Sequence, residues 1–186
     1  MGTAAVVEKS YSGIGNIAPI VRVSEFIKKY RKTAAVRGVD LEVYPGEIYG
    51  LIGPDVAGKS SLMKAIAGVL TYNGGRITVF GNRVDSERSA EKAKYRIGFM
   101  PQGLGLNLYP ELSVEENIDF FARLRLVPED ILNKRKQQLL AMTRLEPHKK
   151  WPMKQLSGGM KQKLGLVCTL IHAPDQIGRA SCRERV

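Results

Sequence analysis

Residues 53–61 constrain the fold of this chain more than any other stretch. They read Gly-Pro-Asp-Val-Ala-Gly-Lys-Ser-Ser and satisfy the pattern G-x-x-x-x-G-K-[ST]. An apolar run at 48–52 precedes them and predicts a buried strand, and the composition of 62–67 favours a helix. The sequence therefore predicts a glycine-rich loop that connects a strand to a helix.

This loop has the composition of a phosphate-binding site. Backbone N–H groups can point at a phosphate chain only where side chains do not obstruct them, and the N-terminus of the following helix adds a positive dipole end. In such loops the lysine reaches the β- and γ-phosphates and the next hydroxyl holds Mg²⁺. The predicted nucleotide-contacting residues here are Gly53, Pro54, Asp55, Val56, Ala57, Gly58, Lys59, Ser60 and Ser61.

The composition is that of an ordinary globular domain, with 44% hydrophobic and 25% charged residues. No apolar stretch approaches the roughly 20 residues of a membrane span, and no secretory signal is visible. The two cysteines, Cys168 and Cys182, indicate no disulfide framework. The net charge of +11 is scattered without a block of like charges, so an anionic ligand and a solvated basic surface explain it better than direct DNA binding.

A second glycine-bearing helix start lies far downstream, where 156–160 read Leu-Ser-Gly-Gly-Met. Ser157 can cap the helix that follows, and the paired glycines Gly158 and Gly159 leave its first N–H groups exposed. One chain has no evident use for two anion-binding helix ends on one nucleotide. Two chains that face each other head to tail can share them.

With these motifs the sequence resembles the nucleotide-binding domain of ATP-binding-cassette (ABC) transporters, over about residues 20–175. The resemblance implies an α/β P-loop NTPase fold with a mostly parallel core sheet, an antiparallel β subdomain and a helical subdomain at about 103–160. It also implies that Tyr30 stacks on adenine and that Gln102 contacts Mg²⁺ and the attacking water.

The resemblance implies ATP and Mg²⁺ as cofactors. Ser60 and Gln102 would face the metal, and the segment Ser157, Gly158 and Gly159 would contact the nucleotide held by an opposing domain. The sequence is similar in particular to ATPases of ABC-2-type exporters. This similarity implies a second nucleotide-binding domain, as a head-to-tail dimer or a tandem, and an ABC-2-type transmembrane permease.

The implied function is to couple ATP binding and hydrolysis to export, in the cytoplasm at the inner face of the cell membrane. Two alternatives remain open at this stage. One is a soluble ribosome-associated ABC ATPase, which would suit the basic charge. The other is a non-catalytic nucleotide-binding interaction module.

The chain departs from the family pattern in two places. Val56 stands where the family has a third glycine, and a β-branched residue at positive φ there would be strained by about 1–3 kcal/mol, which would weaken ATP binding. After Asp175 the family continues with an apolar strand ending in Asp-Glu, the Walker B segment. Here 176–186 show no strand pattern and back-translate to a sequencing-library adapter, so we interpret them as a read-through tail.

The Walker B aspartate, the catalytic glutamate and the switch histidine are therefore missing from the sequence, and no catalytic residue is predicted. Residues 1–19 are expected to form a poorly ordered lead-in. The remaining pattern predicts strands at 20–23, 39–43, 76–81 and 97–102, and helices at 89–95, from Ser113 with a capping box to Glu116, from Pro128 in a first turn, and from Ser157 to before Pro174.

Overall fold

The computed structural model describes residues 17–31, 33–55, 57–101, 103 and 107–179, so most of the predicted lead-in lies outside them. The described residues form two compact units, divided after Lys94. The first unit holds five strands and two α-helices, and the second holds two strands and three α-helices. Within the described part of the chain, no helix combines the length and apolar character needed to cross a bilayer.

The first unit is built on an antiparallel sheet. Its longest strand, β1 (Val21–Tyr30), pairs with β2 (Thr33–Arg37), with β3 (Leu41–Val43) and with β4 (Gly74–Val79). The last of these also pairs with β5 (Asn82–Arg83). This sheet corresponds to the predicted antiparallel β subdomain, although β2 and β5 were not predicted.

A β-bulge in β1 decides which of its side chains face the core. Against β4, Ser24 pairs with Arg76 and Ile27 pairs with Gly74, so β1 carries one extra residue in between. Glu25 adopts a φ of 48° at this point. Buried positions therefore change from odd numbers before the bulge to even numbers after it, and the later set includes Lys28.

Two helices complete the first unit. Helix α1 (Lys59–Ile66) follows the glycine-rich loop and buries Leu62 and Ala65. Helix α2 (Glu87–Lys94) buries Ala90 and Ala93. Both predicted helices are confirmed, and each begins a few residues earlier than the pattern indicated.

The second unit combines a helical core with a short parallel sheet. Its strands are β6 (Ile97–Met100) and β7 (Gln176–Arg179), and its helices are α3 (Val114–Leu124), α4 (Glu129–Thr143) and α5 (Gly158–Leu170). Short 3₁₀ turns at Glu146–His148 and Met153–Gln155 connect α4 to α5. The most buried core residues are Val114, Ile118, Ala122, Leu145, Leu164, Val167 and Ile171.

The predicted helix starts of the second unit are largely confirmed. The Ser113 side chain accepts a hydrogen bond from the Glu116 backbone N–H, and the Glu116 carboxylate accepts one from the Ser113 backbone, which completes the capping box of α3. Pro128 differs slightly from its prediction because it is the N-cap of α4 and does not lie within the first turn.

A partly buried ion pair joins α3 to α4. The Lys136 Nζ lies 2.7 Å from an Asp119 oxygen and 3.1 Å from a Glu115 oxygen. Burial disfavours the ammonium, but the hydrogen bonds to the two carboxylates outweigh it and raise the pKa of Lys136 above its usual value.

The predicted strand at 48–52 is wrong. The structure gives these residues no strand beyond an isolated bridge at Leu51, and Ile48 and Ile52 are exposed. An apolar run forms a buried strand only when ladders of backbone hydrogen bonds hold it, and no named strand of the described residues pairs with this run.

The expectation that the C-terminal tail lacks a strand is also wrong. Residues Gln176–Arg179 form β7, which pairs in parallel with β6 from Ile97–Gln176 to Met100–Arg179. Backbone hydrogen bonds form a ladder without requiring particular side chains, so the side-chain pattern gave no signal. Among the described residues, β6 and β7 are the parallel part of the α/β fold.

Candidate functional site

The geometry of the glycine-rich loop depends on one residue, Gly58. It caps α1 in the left-handed conformation, with φ 84° and ψ 8°. A Cβ at this position would lie 2.2 Å from Val36 Cγ2 and 3.3 Å from the Ala35 carbonyl oxygen. Strand β2 therefore lies directly against the loop, and only glycine satisfies both the backbone angle and the space.

The N-terminus of α1 presents the positive end of its helix dipole to any anion that binds at the loop. This helix has no side-chain cap and no acidic residue in its first turn, so no carboxylate there offsets the dipole. Gly53, Pro54, Asp55 and Ala57 belong to the loop, and Lys59, Ser60 and Ser61 form the first turn of α1.

Lys59 folds back over its own loop. Its Nζ donates hydrogen bonds to the Gly53 carbonyl at 2.7 Å and to the Pro54 carbonyl at 2.6 Å. An anionic phosphate oxygen is a stronger partner for an ammonium than a neutral carbonyl is. The loop, its lysine and the helix end together form a donor set that fits a phosphate chain.

Tyr30, at the end of β1, lies beside the first turn of α1. Its hydroxyl and the Ser61 Oγ are 3.0 Å apart and share a hydrogen bond. The Lys28 Nζ lies 5.0 Å from the centroid of the Tyr30 ring. The side chain remains 48% exposed, so part of the ring is accessible next to the phosphate loop, which suits a residue predicted to stack on a base.

The second predicted motif opens α5 in the second unit. Ser157 is the N-cap, and its side chain accepts a hydrogen bond from the Met160 backbone N–H at 3.3 Å, which confirms the predicted cap. Gly158 and Gly159 are the first two residues of the helix, and all three motif residues are exposed. A Cβ on Gly159 would meet nothing within 4 Å, so this face of the helix end is open.

Two predicted site residues, Val56 and Gln102, lie outside the described residues. The strain expected at Val56 and the metal contact expected of Gln102 therefore remain predictions. Strand β6, which leads toward Gln102, is held by its parallel pairing with β7.

Sequence reasoning missed several residues that hold the phosphate loop, the Tyr30 ring or the segment before α3 in place. The contact between β2 and Gly58 could not be read from spacing, and Lys28 looked like one member of a basic stretch. Asn117 lies outside the predicted apolar face of α3 but is completely buried. Its side chain accepts a hydrogen bond from the Tyr109 backbone N–H at 2.8 Å and donates to carbonyls of the segment before α3, at Tyr109, Leu112 and Ser113.

Comparisons with known proteins agree with this geometry. Residues 36–177 match a family described as ABC transporter. The probable multidrug ABC transporter ATP-binding protein YbhF of Escherichia coli K12 is 41% identical over 140 residues, which cover 75% of this chain and 24% of that protein. The Nod factor export ATP-binding protein I of Ralstonia nicotianae is 34% identical over 163 residues, which cover 88% and 49% of the two chains.

A solved structure gives the same result for the fold. That of cbiO1 from Clostridium perfringens, part of the ABC transporter complex cbiONQ, superposes with a TM-score of 0.76 at 28% identity and covers 87% of this chain and 64% of that one. The chain spans 24% and 49% of the lengths of the two curated relatives. By motif, fold and family match, this chain belongs to the ABC transporter family and is an ATP-binding domain with the α/β P-loop NTPase fold.

Proposed function

We propose that this domain binds ATP with Mg²⁺ and, in the protein to which it belongs, couples ATP binding and hydrolysis to export through a membrane permease. The observation that carries the proposal is the phosphate loop. The Lys59 ammonium donates there to two neutral carbonyls, which compete weakly with a phosphate oxygen, and the Tyr30 hydroxyl shares a hydrogen bond with Ser61 beside the loop. The loop residues from Gly53 to Ser61 would hold the phosphates, the Ser60 hydroxyl and Gln102 would face Mg²⁺, and Tyr30 would stack on adenine.

The exposed start of α5 supports a second nucleotide-binding domain as partner. Ser157, Gly158 and Gly159 present an open helix N-terminus to solvent, and such an end suits the phosphates of a nucleotide. We propose that it contacts the nucleotide held by an opposing cassette, in a head-to-tail dimer or a tandem.

Coupling to an ABC-2-type permease, at the cytoplasmic face of the membrane, is the finer part of the proposal. The names of the two relatives refer to multidrug transport and to Nod factor export. Large apolar side chains at the end of α3 are exposed, namely Phe120, Leu124 and Leu126, and would suit a protein partner. The ribosome-associated alternative is not favoured, because both relatives are transporter ATP-binding proteins.

We expect this chain as it stands to bind nucleotide without turnover. The strand that lies parallel to β6 consists of Gln176–Arg179 and carries no carboxylate. Hydrolysis needs two things: a group that orients the attacking water, and a carboxylate that supports Mg²⁺. Neither role has a candidate on β7.

The test is a direct measurement of nucleotide binding. We expect titration calorimetry with ATP and Mg²⁺ to show saturable binding that Lys59→Ala weakens by at least tenfold, because the ammonium contact to the phosphates is lost. Lys64→Ala, an exposed lysine in the last turn of the same helix, is the matched control and should bind like the parent. Binding that is absent, or equal in the parent and Lys59→Ala, would contradict the proposal.

A further inference from the structure

Lys28 is an unusual residue for a position in the core of the first unit. Only 9% of it is exposed, and it is the single charged side chain among the buried residues that the structure describes. Its Nζ donates to the Thr71 carbonyl at 2.6 Å, and no described carboxylate forms an ion pair with it. Burying an ammonium that has a single carbonyl partner costs free energy, and a second favourable contact of Lys28 would offset part of that cost.

That other contact is the aromatic ring of Tyr30. The bulge in β1 places Phe26, Lys28 and Tyr30 on the same face of the strand, where alternation continues two residues at a time. The ammonium lies over the ring, 5.0 Å from its centroid, within the range of a cation–π interaction. Such an interaction is strengthened when the cation is withdrawn from water, as it is here.

The ring of Tyr30 is thus held at two points. Lys28 engages one face, and Ser61, in the first turn of α1, bonds the hydroxyl. A ring held in this way loses less conformational freedom when a ligand stacks on it. The ammonium also draws π-electron density away from the opposite face, which reduces the repulsion that an electron-rich purine would meet there.

We propose that Lys28 is a positioning residue for the base of the bound nucleotide: it occupies one face of Tyr30 and presents the other face to adenine. This inference rests on the proposed ATP site. It assigns Lys28 an effect on the affinity for the base and none on the affinity for the phosphates, since it bonds neither the loop nor Lys59.

The experiment compares two ligands that share the phosphate chain and differ in the base: ATP and inorganic tripolyphosphate, each with Mg²⁺. Lys28→Met and Lys28→Gln should weaken the affinity for ATP about three- to tenfold, as the loss of a partly desolvated cation–π contact implies. The affinity for tripolyphosphate should stay within about twofold of the parent's. Lys28→Arg retains a cation and should restore most of the ATP affinity. The neighbouring exposed residue supplies the control, and Lys29→Met should change neither ligand.

A further variant tests whether Lys28 acts through the ring. In a Tyr30→Ala background, Lys28→Met should produce no additional loss of ATP affinity, because the group that it positions is gone. Independent losses that add would overturn the proposal.

The outcomes separate this inference from the proposed function. If the parent binds neither ligand, the ATP site itself is wrong. If the parent binds both ligands, and a folded Lys28→Met or Lys28→Gln variant has the parent's ratio of the two affinities, the positioning role is wrong. An equal loss of affinity for both ligands gives that result. Circular dichroism checks folding. If all three Lys28 variants fail to fold, Lys28→Arg included, Lys28 has a structural role in the core, and this result would likewise overturn the positioning proposal.

Discussion

At the scale of single residues, Gly58 shows why a motif requires a particular amino acid. Its φ is 84°, and an added Cβ would lie only 2.2 Å from Val36 Cγ2, which leaves no room for a side chain. We expect Gly58→Ala to lower the free energy of unfolding by about 1–3 kcal/mol, since strain in a left-handed conformation has that size. Urea denaturation followed by circular dichroism would measure the change.

Gly159→Ala is the matched control at this scale. It changes the same residue type in the other motif, where a Cβ meets nothing within 4 Å and φ is not positive. We expect its free energy of unfolding to stay equal or to rise by up to about 1 kcal/mol, as alanine is favoured over glycine in a helix. Equal destabilisation by the two substitutions would refute this account of Gly58.

At the scale of elements, α3 depends on its capping box. Ser113 accepts a hydrogen bond from the Glu116 N–H at 3.2 Å, and the Trp151 and Lys149 carbonyls accept from the N–H groups of the first turn. Ser113→Ala removes one of these partners and should destabilise the chain by about 1 kcal/mol. Thermal unfolding would show it as a lower Tm, and Ser113→Thr, which keeps the hydroxyl, should lose clearly less. Equal losses from alanine and threonine would count against the cap.

At the scale of the whole molecule, the two motifs belong to different compact units, the phosphate loop to the first and the start of α5 to the second. We expect the genomic codons after Asp175 to encode an apolar strand ending in Asp-Glu instead of 176–186. A chain extended by those codons should hydrolyse ATP, and Lys59→Ala should abolish that activity, because the strand beside β6 would then carry the missing carboxylates.

Phosphate-release assays on the extended and present chains would measure this difference. ATP hydrolysis by the present chain that Lys59→Ala removes would contradict the expectation, as would genomic DNA that encodes 176–186 as they stand. The DNA result bears on the origin of these residues, and the assay bears on their function.

Local signals in the sequence were sufficient for the helices and for the two motifs. Three of these signals act within a few residues of chain: the capping box of Ser113 and Glu116, the cap at Ser157, and the glycine of the phosphate loop. The energies that place them are therefore local and can be read from spacing. The family resemblance followed from the order of these motifs.

Contacts between distant residues were decided only by the tertiary structure. The apolar run at 48–52 forms no ladder of backbone hydrogen bonds with a named strand, whereas Gln176–Arg179 form one with β6. The side-chain patterns had indicated the opposite for both segments. The tertiary structure likewise decided the bulge that buries Lys28, the position of its ammonium over the Tyr30 ring, and the approach of Val36 to Gly58. The sequence by itself determined the motifs and the family; strand pairing and burial were determined by the fold, because each requires a partner far along the chain.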